Sequence, residues 1–261
     1  ILLLTIKNYK MKKLLLLLLI PLFTFSQTNP NSEYWQTNKW TPKSGMNAEF
    51  EAGVAKKTDK FNGTAETSMA TYQIITGQDQ GKYMRVMGNR DSSAFDEDNT
   101  AELAYWGKHV MPYVDSNDGN KRWWRMKGLC QNWNNDLPPA RFVKMTTYTI
   151  KTGQMSDFLR FWRNNNDVQK ELGYSGISGL FMLVSGGESR QLLEVEPYNS
   201  HAEGMGDYTD PDVDYIDAYN EMHGWRTHRN DEKAATASID EVWGITVETA
   251  ELNAEMSTKM K

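Results

Sequence analysis

Two tyrosine–histidine pairs have the spacing with the most chemical content in this chain. Tyr105-Trp106-Gly107-Lys108-His109 and Tyr219-Asn220-Glu221-Met222-His223 both read Tyr-x-x-x-His. On a helix, positions i and i+4 project from one face, so each phenol sits beside an imidazole. Such a pair can form a structural hydrogen-bonding unit or offer a ring nitrogen to a ligand, a role that falls mostly on His223. A second candidate is Gln191-Leu192-Leu193-Glu194-Val195-Glu196. On a strand, a period of two sets Glu194 and Glu196 on one face and Leu193 and Val195 on the other. The matching run sets Arg85 opposite Met84 and Val86. If the aliphatic side meets helices, Arg85, Glu194 and Glu196 face inward. Carboxylates in a narrow cavity can be pushed toward acid–base chemistry. An Arg–Glu ion pair or plain exposure is the blander outcome. The catalytic candidates are thus Tyr219, His223 and Glu194. The ligand-binding candidates are Arg85, Tyr105, His109, Glu194, Glu196, Tyr219 and His223.

Other chemistries find less support. His201 and His228 lack metal-ligand spacing to another His, Cys or acid, so no metal is expected. The acidic run 206–214 lacks the ligand spacing and closing Glu of an EF-hand, and reads as a loop capping the next helix. There is no phosphate-binding glycine loop. Ser92-Ser93 and Ser185 lack a nucleophile elbow. The Trp123-Trp124 pair between Arg122 and Arg125 could stack on a base or sugar, or pack inside the fold.

The elements that must position these residues come in two similar series. Trp40-Thr41-Pro42-Lys43-Ser44-Gly45 returns as Tyr148-Thr149-Ile150-Lys151-Thr152-Gly153, and Tyr72-Gln73-Ile74-Ile75-Thr76-Gly77 as Phe181-Met182-Leu183-Val184-Ser185-Gly186. An internal repeat of this length specifies an architecture before it specifies a reaction. The first series reads as a strand over 34–43, a helix carrying Met46, Phe50, Val54, Lys57 and Phe61, a hairpin over 71–87, a helix over 99–114 and a strand over 122–127. The second reads as a strand over 142–150, a helix faced by Met155, Phe158, Leu159 and Trp162, a hairpin over 180–196, a helix over 212–225 and a strand over 239–247. Pro138-Pro139 marks a linker. The expected organisation is a first ferredoxin-like repeat over 34–133, a linker over 134–139, a second repeat over 140–248, and a frayed, charged helical tail over 249–261. The fold class is α+β: two tandem β-α-β-β-α-β repeats whose antiparallel sheets pack face to face around a lumen.

With that order and repeat, residues 34–248 resemble the dimeric α/β-barrel superfamily in a fused, tandem form. Its members include antibiotic-biosynthesis-type monooxygenases, chlorite-dismutase-like and dye-decolourising haem proteins, NIPSNAP-like proteins and small-ligand binders. Some haem-binding members use a helix-borne histidine as axial ligand, so the resemblance leaves the cofactor unknown with haem as one option, the ligand role then falling mostly on His223. The apolar positions of the first helix (Leu103, Trp106, Val110, Val114) do not recur in the second, where Asp217, Asn220, Gly224 and His228 stand. Three roles follow as expectations. The first is a binder of a small, partly apolar ligand in an aromatic-lined lumen. The second is a haem-dependent or cofactor-free oxidative enzyme. The third is a non-catalytic surface interaction protein.

Composition narrows the partners. Lys12-Lys13, the apolar run Leu14–Phe25 and the small residues before Gln27 read as an export signal, with residues 1–10 preceding a natural start at Met11. The chain is then expected in the periplasm or secreted, with no membrane anchor after cleavage, the apolar run being too short to span. Removing residues 1–26 leaves 25 basic and 34 acidic residues, a net charge of −9. That charge disfavours nucleic acid as a partner. Cys130 is the only cysteine, so no intrachain disulfide forms, and a small buried apolar role is expected.

Overall fold

The computed structural model describes residues 32–204, 214–242 and 244–259. Eight strands alternate with helices along the chain: β1 (Tyr34–Pro42), α1 (Asn47–Phe61), β2 (Ala70–Thr76), β3 (Tyr83–Arg90), α2 (Thr100–His109), β4 (Val114–Arg125), β5 (Phe142–Thr149), α3 (Met155–Glu171), β6 (Gly179–Ser185), β7 (Gln191–Tyr198), α4 (Tyr215–His223), α5 (Thr227–Ser238) and β8 (Ile245–Leu252). They close into one antiparallel barrel in the order β1-β3-β2-β8-β5-β7-β6-β4. The two halves therefore do not stack as separate open sheets. They join edge to edge through β2·β8 and β4·β6. The corresponding segments noted above end in the same kind of turn. Gly45 and Gly153 carry φ of 77° and 81°, and Gly77 and Gly186 carry 94° and 93°, a region only glycine enters without strain.

The strands β2, β3, β5, β6 and β7 carry buried residues on both faces, helices covering the outside and side chains the inside. Outside, Phe50 and Val54 lie one helical turn apart on α1 and are fully buried against Tyr83, Val110, Val114 and Met256. Phe158 of α3 does the same against Leu129, Ile150, Leu180 and Leu192. Burying each such side chain is worth about 1.5–3 kcal/mol. Inside, Tyr72, Ile74, Met84, Trp123, Val143, Met145, Phe181, Leu183, Leu193 and Ala250 fill the barrel.

One end of the barrel is plugged. Trp35, Trp133 and Phe181 meet edge to face with ring centres 5.5–5.6 Å apart. Gly88 and Gly179 make room for them: a Cβ on either would come within 2.6 Å of the Trp35 ring or 2.5 Å of the Trp133 ring. Glu33 takes hydrogen bonds from Arg125 (2.8 and 2.6 Å), Trp35 Nε1 (2.7 Å) and Asn135 (3.1 Å). Burial would raise its pKa, but these donors outweigh burial and hold it low.

Several expectations are corrected. The last strand runs Ile245–Leu252, not 239–247. The segment before it is an additional helix, α5, whose buried residues are only Asp231, Ala235 and Ser238. The chain after Leu252 is not a frayed helix. Its short turn at Ala254–Met256 buries Met256 completely beside α1. The export segment and residues 206–213 of the acidic run lie outside the described residues. Asp214, which closes that run, caps α4 by accepting from Ile216 N and Asp217 N. Cys130 is buried, and burial raises its thiol pKa.

Candidate functional site at the barrel mouth

The expected inward face is reversed. Met84 and Val86 of β3, and Leu193 and Val195 of β7, point into the barrel. Arg85 and Glu194 instead lie beneath the helices. Glu194 accepts from Tyr148 Oη at 2.8 Å, and Tyr148 packs on Phe158 and Trp162 of α3. Glu196, on the same face, pairs with Lys144 at 2.7 Å. A one-residue offset inverts a whole strand.

The tyrosine–histidine pairs also sit outside the barrel. Tyr105 and His109 are in ring contact at 4.2 Å on the outer surface of α2. Tyr219 is fully buried, and its hydroxyl donates to Asp231 (2.9 Å) rather than to His223. Asp231 also accepts from Arg160 (2.8 Å) and Asn164 (2.9 Å). Burial works to raise the Asp231 pKa, but these donors lower it on balance. His223 Nε2 lies 3.3 Å from the Asn164 carbonyl oxygen. This cluster ties α3, α4 and α5 together.

The open end of the barrel holds a cavity of about 570 Å³. That is the size of a small-molecule site. Its deeper wall is Met84, Trp123, Met145 and Leu193, and its rim is polar: Lys39, Asp79, Asp118, Lys121, Glu188, Gln191 and Glu248. Strand alternation explains the sharing of one face. Lys39 pairs with Met84 in register, Lys121 with Thr37, and Glu248 with Met145.

Most rim charges are paired in a chain. Glu248 Oε2 meets Lys39 Nζ at 2.5 Å, Lys39 meets Asp79 at 2.6 Å, and Lys82 bridges Asp79 (2.9 Å) and Asp118 (3.1 Å). Burial alone would raise the Asp79 pKa. The two ammonium groups overcome it and hold the carboxyl at about 2. Four groups are left over. Glu248 Oε1, Gln191 Oε1 and Asn38 Oδ1 are buried without a hydrogen-bond donor. Lys121 makes no ion pair among the described residues and lies 6.0 Å from the centre of the Trp123 ring. Burial, then repulsion from Lys39, lowers its pKa. The cavity therefore has an apolar, aromatic wall and one ammonium group, with the donor-less oxygens of Glu248, Gln191 and Asn38 buried in the residues that line it.

Haem does not fit this cavity. No histidine, cysteine or tyrosine lines it. His109, His201, His223 and His228 all lie on or beside helices or strand ends outside the lumen. Among the described residues, no group of three His, Cys, Asp or Glu could hold a metal ion.

The barrel is similar to solved structures of two monooxygenase-like proteins. The one from Lactobacillus acidophilus has a TM-score of 0.52 at 10% identity, covering 88% of this chain and 100% of the other. The one from Fusobacterium nucleatum has a TM-score of 0.54 at 11% identity, covering 87% and 93%. A chlorite dismutase-like protein gives 0.53 at 9% identity, covering 86% and 96%. At these identities the likeness is one of fold alone, a closed α/β barrel. No protein-family profile matches the chain, and no curated protein does.

Sequence reasoning missed the rim. Lys39, Asp79, Lys121, Gln191 and Glu248 come from distant strands, and Lys39 and Glu248 are separated by 209 positions. The one available signal was Trp123 beside Lys121 on an alternating strand.

Proposed function

We propose that this α/β-barrel protein takes a small, electron-rich aromatic molecule into the barrel mouth and oxidises it without haem. The observation that carries the reading is the unpaired Glu248 Oε1 beside an apolar wall that includes Trp123. An aromatic body fits against Trp123, Met84 and Met145. A phenolic hydroxyl fits against Glu248, which can accept its proton while Lys39 keeps the carboxylate in place. Removing that proton makes the ring a better electron donor to dioxygen. For a hydroquinone the balance is two electrons and two protons to O₂, giving the quinone and hydrogen peroxide. The fold shared with monooxygenase-like proteins favours oxidation over simple binding.

The test adds hydroquinones to purified protein and follows oxygen uptake, peroxide formation and binding. Uptake should saturate and fall about 100-fold or more in Glu248→Gln, the usual contribution of a general base. Binding without oxygen uptake would overturn the oxidative reading and leave a small-molecule binder. No binding would overturn both. The reading includes export to the periplasm or medium, supported by Lys12-Lys13 and the following apolar run. It also includes descent of the two halves from one duplicated unit, supported by their common element order.

A further inference from the structure

Beneath α1 and α2, away from the barrel mouth, the protein buries more positive charge than it neutralises. Arg85 is 3% exposed. Its Nη2 donates to Thr58 Oγ1 at 3.0 Å and lies 3.0 Å from Met69 Sδ. Its Nε and Nη1 are buried with no acceptor. The guanidinium lies 5.2 Å from the centre of the Trp106 ring, and the Trp106 indole N–H is likewise buried without an acceptor. Lys57 Nζ lies 5.9 Å from the same ring. It donates to Asn62 Oδ1 at 2.8 Å and pairs with Glu102. Among the described residues Glu102 is the only carboxylate acting on either cation.

Two cations thus share one carboxylate, and three buried N–H donor groups on the neighbouring Arg85 and Trp106 have nothing to accept them. A buried donor left unpaired loses its hydration without a replacement. An uncompensated buried charge loses more. Water could accept hydrogen bonds here but would leave the charge unbalanced. A small anion corrects both deficits at once. We infer that Arg85, Trp106 and Lys57 form a binding site for a small inorganic anion of halide size. Burial, and for Lys57 the nearby Arg85, brings the Lys57 ammonium down to about 8, and burial brings Arg85 down to about 10. Both shifts run in the direction that too little negative charge produces. Access is through α2, which has no buried residue and carries both Trp106 and Glu102.

The test uses the full chain with chloride and bromide. Chloride NMR line broadening should saturate and be displaced by bromide. Crystals soaked in sodium bromide should show an anomalous peak in contact with Arg85 and Trp106. Trp106→Phe keeps an aromatic side chain but removes the indole N–H with its five-membered ring, and should weaken the anion about tenfold. Arg85→Met should abolish the site, and if that variant does not fold, Trp106→Phe decides alone. Unchanged affinity in Trp106→Phe, or no bromide peak at Arg85, would overturn the inference.

Discussion

Glu194 sets up a pH dependence opposite in sign to that of most carboxylates. Burial, reinforced by Glu196, pushes its pKa from 4.5 up to about 7. The Tyr148 hydroxyl and the more distant Lys144 act the other way without overcoming it. Folding therefore takes up a proton between pH 4.5 and 7, so stability contributed by the neutral acid is complete below 4.5 and lost as pH rises through 7. The displacement is worth about 3 kcal/mol. Glu194→Gln removes the titration while keeping an acceptor for Tyr148. Urea unfolding of both proteins from pH 4 to pH 8.5 reads the difference directly. The variant should gain about 3 kcal/mol on the wild type between those limits, with most of the change above pH 5. A difference that stays flat across the range would show that Glu194 ionises freely, and would refute the claim that α3 and β5 keep it dry.

Two stability predictions concern the seams and the plug. Gly186→Ala should lower stability by about 2 kcal/mol or more in thermal melts, since φ there is 93° and a Cβ would overlap Asn120 O of β4. Trp133→Ala should cost about 2–3 kcal/mol by opening the plugged end, and should leave hydroquinone binding at the opposite mouth unchanged; loss of that binding would show that the two ends are not independent.

Much of the architecture was legible because it rests on local signals. Phe50 and Val54, or Met155, Phe158, Leu159 and Trp162, announce amphipathic helices, and Gly77 and Gly186 announce hairpin turns. The facing of the strands was not legible. Leu192 is fully buried toward the helices and Leu193 is buried toward the lumen, so buried apolar residues on both faces of β7 leave its orientation undecided. Arg85 and Glu194 then mislead, since charged residues under helices break the usual pattern. Helix α5 escaped because Thr227–Ser238 has no apolar periodicity; it is held by Asp231 instead. The rim depends on register between strands far apart in sequence, which residue spacing does not encode.

A sheet that closes on itself has no first or last strand, and among the described residues the longest stretch of strand backbone left with one neighbour is the part of β4 before Arg122, which pairs with β1 alone. That protection is pooled between the halves. Residues 34–125 own β2 and β4 as their margins, residues 142–252 own β6 and β8, and each margin is satisfied only by the other half. A proteolytic nick near Pro138 would thus yield two mutually complementary fragments, each adhesive alone and inert once rejoined.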